Sequence, residues 1–162
     1  MINGTGLWLN NEMDDFSIKP GVANGYGLVG DEANAIAPGK RMLSSMAPTF
    51  VENGDRVMIT GSPGGSFIMG MVLLATLDFL DGRNATEIVS APRIHHQYLP
   101  DVVRAEPGAL TDAERVALEA RGHTVELSGR RWGNMQTIIW DRRSGALEAA
   151  SDPRGEGAGV VQ

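Results

Sequence analysis

The chain is 162 residues long, enough for a domain with a real core, and its 42% hydrophobic and 21% charged residues are ordinary for a globular protein. It has no cysteine, which excludes disulfides, thiol catalysis and Cys-ligated metals. Its net charge of −6 argues against nucleic acid, since phosphate binding wants a basic face, and no apolar stretch reaches the length of a membrane span.

In chain order, residues 6–10 (Gly-Leu-Trp-Leu-Asn) predict a short strand. Residues 11–39 are polar and rich in Gly, Pro, Asn and Asp, a loop long enough to suggest function or disorder. Residues 46–51 predict a strand, Asn53-Gly54-Asp55 a hairpin turn, and residues 56–60 the return strand. Gly61-Ser62-Pro63-Gly64-Gly65 then leads into an apolar segment of helical length, 66–80. Asn84 with Glu87 predicts a helix start, with Pro92 bounding that helix. Thr111 with Glu114 forms a capping box, and Gly122 is the matching stop. Residues 124–127, 135–140 and 147–150 predict strands, the last two joined through Ser144-Gly145. The expected class is α+β, one domain over 1–162 with mostly antiparallel strands and the helices packed on the sheet.

Three clusters could carry chemistry. In Asn10-Asn11-Glu12-Met13-Asp14-Asp15-Phe16, three carboxylates and two amides could grip a cationic group such as an ammonium, or simply make an acidic turn or a calcium loop. The spacing does not match an EF-hand. The hydroxyls of Ser44 and Ser45 could donate to a carboxylate, or mark a plain turn. The glycines Gly64 and Gly65, at a helix N-terminus, could present backbone N–H groups to an anion or a developing oxyanion, or make a tight strand-to-helix turn. The Gly-Lys-Ser/Thr ending of a phosphate-binding P-loop is absent. His95 and His96 are adjacent, so an extended backbone points them to opposite faces and a shared metal is disfavoured. Arg130-Arg131 and Arg142-Arg143 read as solvated turns.

Taken together, the segments in order resemble the γ-glutamyltransferase family. They are Leu9-Asn10-Asn11-Glu12-Met13-Asp14-Asp15-Phe16-Ser17, Lys19-Pro20-Gly21, Tyr26-Gly27-Leu28-Val29-Gly30 and Pro38-Gly39-Lys40-Arg41. Leu43-Ser44-Ser45-Met46-Ala47-Pro48-Thr49, Gly61-Ser62-Pro63-Gly64-Gly65, Ala91-Pro92-Arg93 with His95-His96-Gln97, Gly133-Asn134-Met135-Gln136 and Ala150-Ser151-Asp152-Pro153-Arg154 follow.

The resemblance implies an N-terminal nucleophile hydrolase fold, an αββα sandwich, here incomplete. It implies a precursor that cleaves itself into a large and a small subunit, with an N-terminal threonine as nucleophile and its free amine as general base. The γ-glutamyl group of glutathione or a related compound would pass to that threonine, then to water or to an acceptor amino acid or peptide. Asp15 would bind the α-ammonium, helped by Glu12. Ser44 and Ser45 would hold the α-carboxylate, and the Gly64 and Gly65 amides would form the oxyanion hole. Residues 19–39 would be a lid over the pocket with Tyr26 at its tip. No cofactor or metal is implied.

The family's threonine lies before the Asn10-Asn11-Glu12 segment, and Thr5 does not match its motif. The isolated polypeptide, which would carry the substrate-binding part of the site, is therefore expected to show no turnover, and to lack the large subunit and part of a sheet. Exposed strand edges and an apolar face should follow. The alternative is a non-catalytic protein that binds glutamate or γ-glutamyl compounds. Localisation stays open, with export to the periplasm or the cell exterior common among bacterial members.

Overall fold

The computed structural model describes residues 3–7 and 9–162. The chain divides into two compact units, Met1–Ser45 and Met46–Gln162.

The first unit is built from turns. Two 3-10 turns, Glu12–Asp15 and Glu32–Asn34, bracket a small hairpin-like loop. In that loop Ala23 and Val29 form an antiparallel bridge. The Asn24 side chain closes its tip by accepting from the Tyr26 and Leu28 N–H groups, both at 3.0 Å. Such side-chain mimicry of a backbone turn is what Asn does well. Phe16 and Ser17 are buried, and Gly30 packs so tightly on Ser17 that a Cβ there would fall 2.1 Å from Oγ.

The strand predicted over 6–10 is not formed. Gly6, Leu7, Leu9 and Asn10 are irregular, and Trp8 lies outside the described residues. A strand needs a ladder partner, and among the described residues none pairs with this segment; Leu7 and Leu9 are exposed.

In the second unit, β1 (Thr49–Asn53), β2 (Arg56–Gly61), β6 (Gln136–Asp141) and β7 (Leu147–Ser151) form an antiparallel sheet in the order β1-β2-β6-β7. The strand predicted from residue 46 begins only at Thr49. Pro48 has no N–H to give a ladder. Gly54 and Asp55 make the two-residue turn between Asn53 and Arg56, with Gly54 at φ 60°.

Helices α1 (Phe67–Leu80) and α2 (Ala85–Ser90) cover one face of this sheet. Met58 and Ile139 from the strands meet Ile68, Met71, Phe79 and Val89 from the helices, all buried. Arg56 closes the C-terminal end of α1 by donating to the Phe79 and Arg83 carbonyls, with its guanidinium 4.8 Å above the Phe79 ring. Asn84 and Glu87 complete the capping box of α2, and Glu148 of β7 accepts from the Ala85 N–H at 2.8 Å.

A second sheet holds β3 (Ile94–His95), β4 (Val103–Ala105) and β5 (Val125–Leu127) in that order. β4 and β5 are parallel, joined through α3 (Asp112–Ala120); the other strand pairs are antiparallel, as the mostly antiparallel expectation has it. Thr111 and Glu114 cap α3, as their spacing predicts. α3 packs along β5 and not on the larger sheet, so the expectation that all helices lie on one sheet holds only for α1 and α2.

The other face of the four-stranded sheet is apolar and open. Register aligns Phe50, Ile59 and Ile138 across it, and Trp140 beside Leu147; all five are exposed. α1 also shows an outward stripe of Met69, Leu73, Leu77 and Leu80. A helix apolar all round normally has cover on both sides. At the β7 edge the tail runs close: a Cβ on Gly159 would lie 2.2 Å from the Ala149 carbonyl oxygen.

Candidate functional site

The acidic turn, the hydroxyl pair and the lid-like loop lie in the first unit, and the diglycine lies in the second.

In the 3-10 turn Glu12–Asp15, residues three apart stack on one side. Glu12 and Asp15 are therefore on one face and half-buried, while Asp14 and Met13 are exposed. This arrangement separates two of the three carboxylates from the third, which composition alone could not do. Two carboxylates on one face favour a cationic guest such as an ammonium. Among the described residues no group of three His, Asp or Glu side chains is arranged to hold a metal ion.

Ser44 and Ser45 are exposed at the end of the unit, preceded by Leu43. Asn34, which the sequence reading did not single out, connects the two clusters. Its Nδ2 donates to the Asp15 carbonyl at 2.7 Å, and its Oδ1 accepts from the Leu43 N–H at 3.0 Å. Nothing in the local sequence marks Asn34, because its partners are far from it along the chain. Tyr26 stands at the tip of the 19–39 loop, half exposed. Thr5 accepts from the Leu7 N–H at 3.2 Å, within its own turn.

In the second unit, Gly64 and Gly65 link β2 to α1 with φ values of 147° and 55°, conformations that favour glycine. A Cβ on Gly64 would also fall 2.9 Å from Met71 Cε. Among the described residues, neither the Gly64 nor the Gly65 N–H has a protein acceptor. Ser66, at the N-cap of α1, does not cap it; its hydroxyl donates to Gln97 Oε1 at 2.8 Å. The Phe67 and Ile68 N–H groups that open α1 donate to the Gly64 and Gly65 carbonyls, both at 3.1 Å, so the turn closes on itself and leaves the Gly64 and Gly65 N–H groups outside that pairing.

The turn is held from behind. The Asn134 N–H donates to Ser62 Oγ at 3.1 Å, and Gly133 fits between Ser62, Met71 and Arg93 where a side chain would collide. His95 is buried, stacked on Phe67 with ring centroids 3.7 Å apart, and its Nε2 donates to Gln97 Oε1 at 3.0 Å. Burial holds its imidazole below the usual value, against the rise that the Gln97 hydrogen bond gives. His96 is exposed and pairs with Asp101 at 2.7 Å, so the two histidines do part to opposite faces.

Behind this loop is a buried ionic cage. Asp152 accepts from Arg93 at 2.6 Å, from Arg154 at 3.0 Å, and from the Met135 and Arg154 N–H groups at 2.9 Å. Glu106 accepts from both Arg154 Nε and Nη2, and from the Arg93 and Trp132 N–H groups. Burial pushes the Asp152 carboxyl up, but these donors outweigh it and hold it below the usual carboxylate range. Arg93, Asp152 and Arg154 stand in two of the sequence motifs, and the structure gives them architectural work.

A family model for gamma-glutamyltranspeptidase matches residues 1–162. The chain belongs to the γ-glutamyltranspeptidase family. It is 50% identical over 152 residues to the glutathione hydrolase proenzyme of Escherichia coli K12, which covers 93% of this chain and 26% of that protein. It is 40% identical over 160 residues to scoloptoxin SSD20 of Scolopendra dehaani, covering 95% of this chain and 78% of the other. The structure of γ-glutamyltranspeptidase from Pseudomonas nitroreducens complexed with L-DON superposes with a TM-score of 0.83 at 45% identity, covering 99% of this chain and 84% of that one. The fold is accordingly the N-terminal nucleophile hydrolase fold of γ-glutamyltranspeptidases, of which this chain is a part. It spans about a quarter of the length of the E. coli relative.

Proposed function

We propose that this chain carries the γ-glutamyl-binding and oxyanion-stabilising part of a glutathione hydrolase or γ-glutamyltransferase. The observation that carries this is the half-buried pair Glu12 and Asp15 on one face of a 3-10 turn, in a chain that matches the family along its whole length. Asp15, assisted by Glu12, takes the α-ammonium of the γ-glutamyl group. Ser44 and Ser45 donate to its α-carboxylate. The Gly64 and Gly65 N–H groups receive the oxygen of the γ-carbonyl as it gains charge.

In the complete reaction a threonine hydroxyl adds to the γ-carbonyl carbon, and the tetrahedral oxyanion collapses with loss of the amine. Water or an acceptor amine then adds to the resulting ester and releases the threonine. An oxyanion-hole donor contributes about 3 kcal/mol to lowering such a barrier. The 19–39 loop, with Tyr26 at its tip, is the lid over the bound acyl group. The large subunit of the same precursor is the partner.

The test is calorimetry with L-glutamate on this chain and on Asp15→Asn, beside a chromogenic γ-glutamyl anilide. Glutamate binding that Asp15→Asn abolishes, with no anilide turnover by the chain alone, is the expected result. Turnover by the chain alone, or glutamate binding indifferent to Asp15, contradicts it. A second reading is a protein that binds glutamate or γ-glutamyl compounds and performs no turnover. Co-expression with a large subunit and a threonine-bearing segment separates the two: activity appears under the first reading and not under the second.

A further inference from the structure

In the first unit the Asn34 carboxamide joins the segments of both proposed charge grips. A backbone carbonyl can only accept and a backbone N–H can only donate, so its two partners fix which end of the amide is which. Nδ2 faces the Asp15 carbonyl at 2.7 Å and Oδ1 faces the Leu43 N–H at 3.0 Å. Its backbone is held as well: the Asn34 carbonyl accepts from Ser17 N–H at 3.0 Å, and its N–H donates to the Asp31 carbonyl at 3.0 Å. The residue is half-buried.

One planar group thus spans from the last residue of the acidic turn to the residue before Ser44. Aspartate has no donor for Asp15, alanine offers neither end, and glutamine is one carbon too long for both contacts at the present backbone positions. The ammonium and carboxylate of an α-amino acid leave the same carbon. A site that engages both must hold its two grips at a set spacing, and the Asn34 carboxamide ties the end of the acidic turn to the residue before Ser44 directly.

We propose that Asn34 is a positioning residue for recognition of zwitterionic amino acids: it sets the spacing between the Glu12–Asp15 turn and the Ser44–Ser45 pair, so that ammonium and carboxylate are bound together. The inference rests on the γ-glutamyl-binding reading and adds the residue that couples its two halves. Preorganising the grips spares the ligand the cost of ordering the loop ends.

The experiment compares three probes on the chain by calorimetry: L-glutamate, γ-aminobutyrate, which lacks the α-carboxylate, and glutarate, which lacks the α-ammonium. The wild type should prefer glutamate to both. In Asn34→Ala glutamate should weaken about tenfold while the single-charge probes change far less, so the preference collapses. Asn34→Asp, which keeps the Leu43 contact, should fall between. Lys40→Ala, which removes a nearby contact to the Ala35 carbonyl, should leave the preference intact. Equal weakening of all three probes, or no weakening, overturns the proposal.

A second measurement separates its failure from that of the underlying reading. By amide hydrogen exchange, Asn34→Ala should deprotect the Leu43 N–H; an unchanged Leu43 N–H overturns the positioning role of Asn34 whatever the ligand does. Indifference of the wild type to all three probes, with Leu43 deprotected in Asn34→Ala, overturns the γ-glutamyl-binding reading and leaves the Asn34 bridge between the two segments standing.

Discussion

Replacing Asp152 by alanine should be among the most damaging single changes to the second unit. The carboxylate is fully buried and takes four hydrogen bonds, two from guanidinium groups and two from backbone N–H groups. With Glu106 it balances Arg93 and Arg154, so its removal leaves a net positive charge in a site without water access. Breaking a buried pair from one side costs about 3–5 kcal/mol. For a unit of this size the unfolding entropy is roughly 0.25 kcal/mol per degree, so the melting temperature should fall by about 10–20 °C. Urea unfolding followed by circular dichroism measures the loss.

The charge argument makes a further demand. Arg93→Met combined with Asp152→Ala should cost less than the sum of the two, by about 1–3 kcal/mol, because the second change removes the charge that the first orphaned. Additive losses, or an Asp152→Ala cost below about 1 kcal/mol, would refute the reasoning.

Three other outcomes follow from the same structure. His95 is held below its unfolded value of about 6.5. The fold therefore prefers the neutral ring: stability is full above that pH and declines as pH falls from it toward the folded value. His95→Gln should flatten this slope between pH 7.5 and 5 in urea titrations, and an unchanged slope speaks against it. Gly64→Ala places a Cβ 2.9 Å from Met71 Cε at a φ of 147°, and should cost about 1–3 kcal/mol by thermal melting; a neutral result would mean the loop relaxes freely. Ile138→Lys, on the open sheet face, should change stability by less than about 0.5 kcal/mol yet reduce self-association in sedimentation velocity, and undiminished association would place the sticky surface elsewhere.

Local signals were legible where short-range chemistry decides structure. The capping boxes at Asn84–Glu87 and Thr111–Glu114 and the turn at Gly54-Asp55 need only neighbours in sequence, and all three form. β3 and β4, of two and three residues, were not predicted, although the equally short β5 was. The strand expected over 6–10 did not form: its side chains suit a sheet, but a ladder is a property of two segments. At the site, the carboxylates of Glu12 and Asp15 could be picked out by type, whereas their common face required the 3-10 turn. Asn34 and Glu106 act only through partners brought near by tertiary structure, so nothing in their surroundings along the chain announces them.

The close approach of Gly159 to β7 bears on how accessible that strand is. β7 is an outermost strand, and an uncovered strand rim is a template onto which another molecule can add its own. Gly159 lies against the Ala149–Ala150 backbone, and it can seat there because position 159 has no side chain. A bulkier residue at this point should push the tail off β7 and bare more of that strand, while the buried packing beneath the helices stayed as it was.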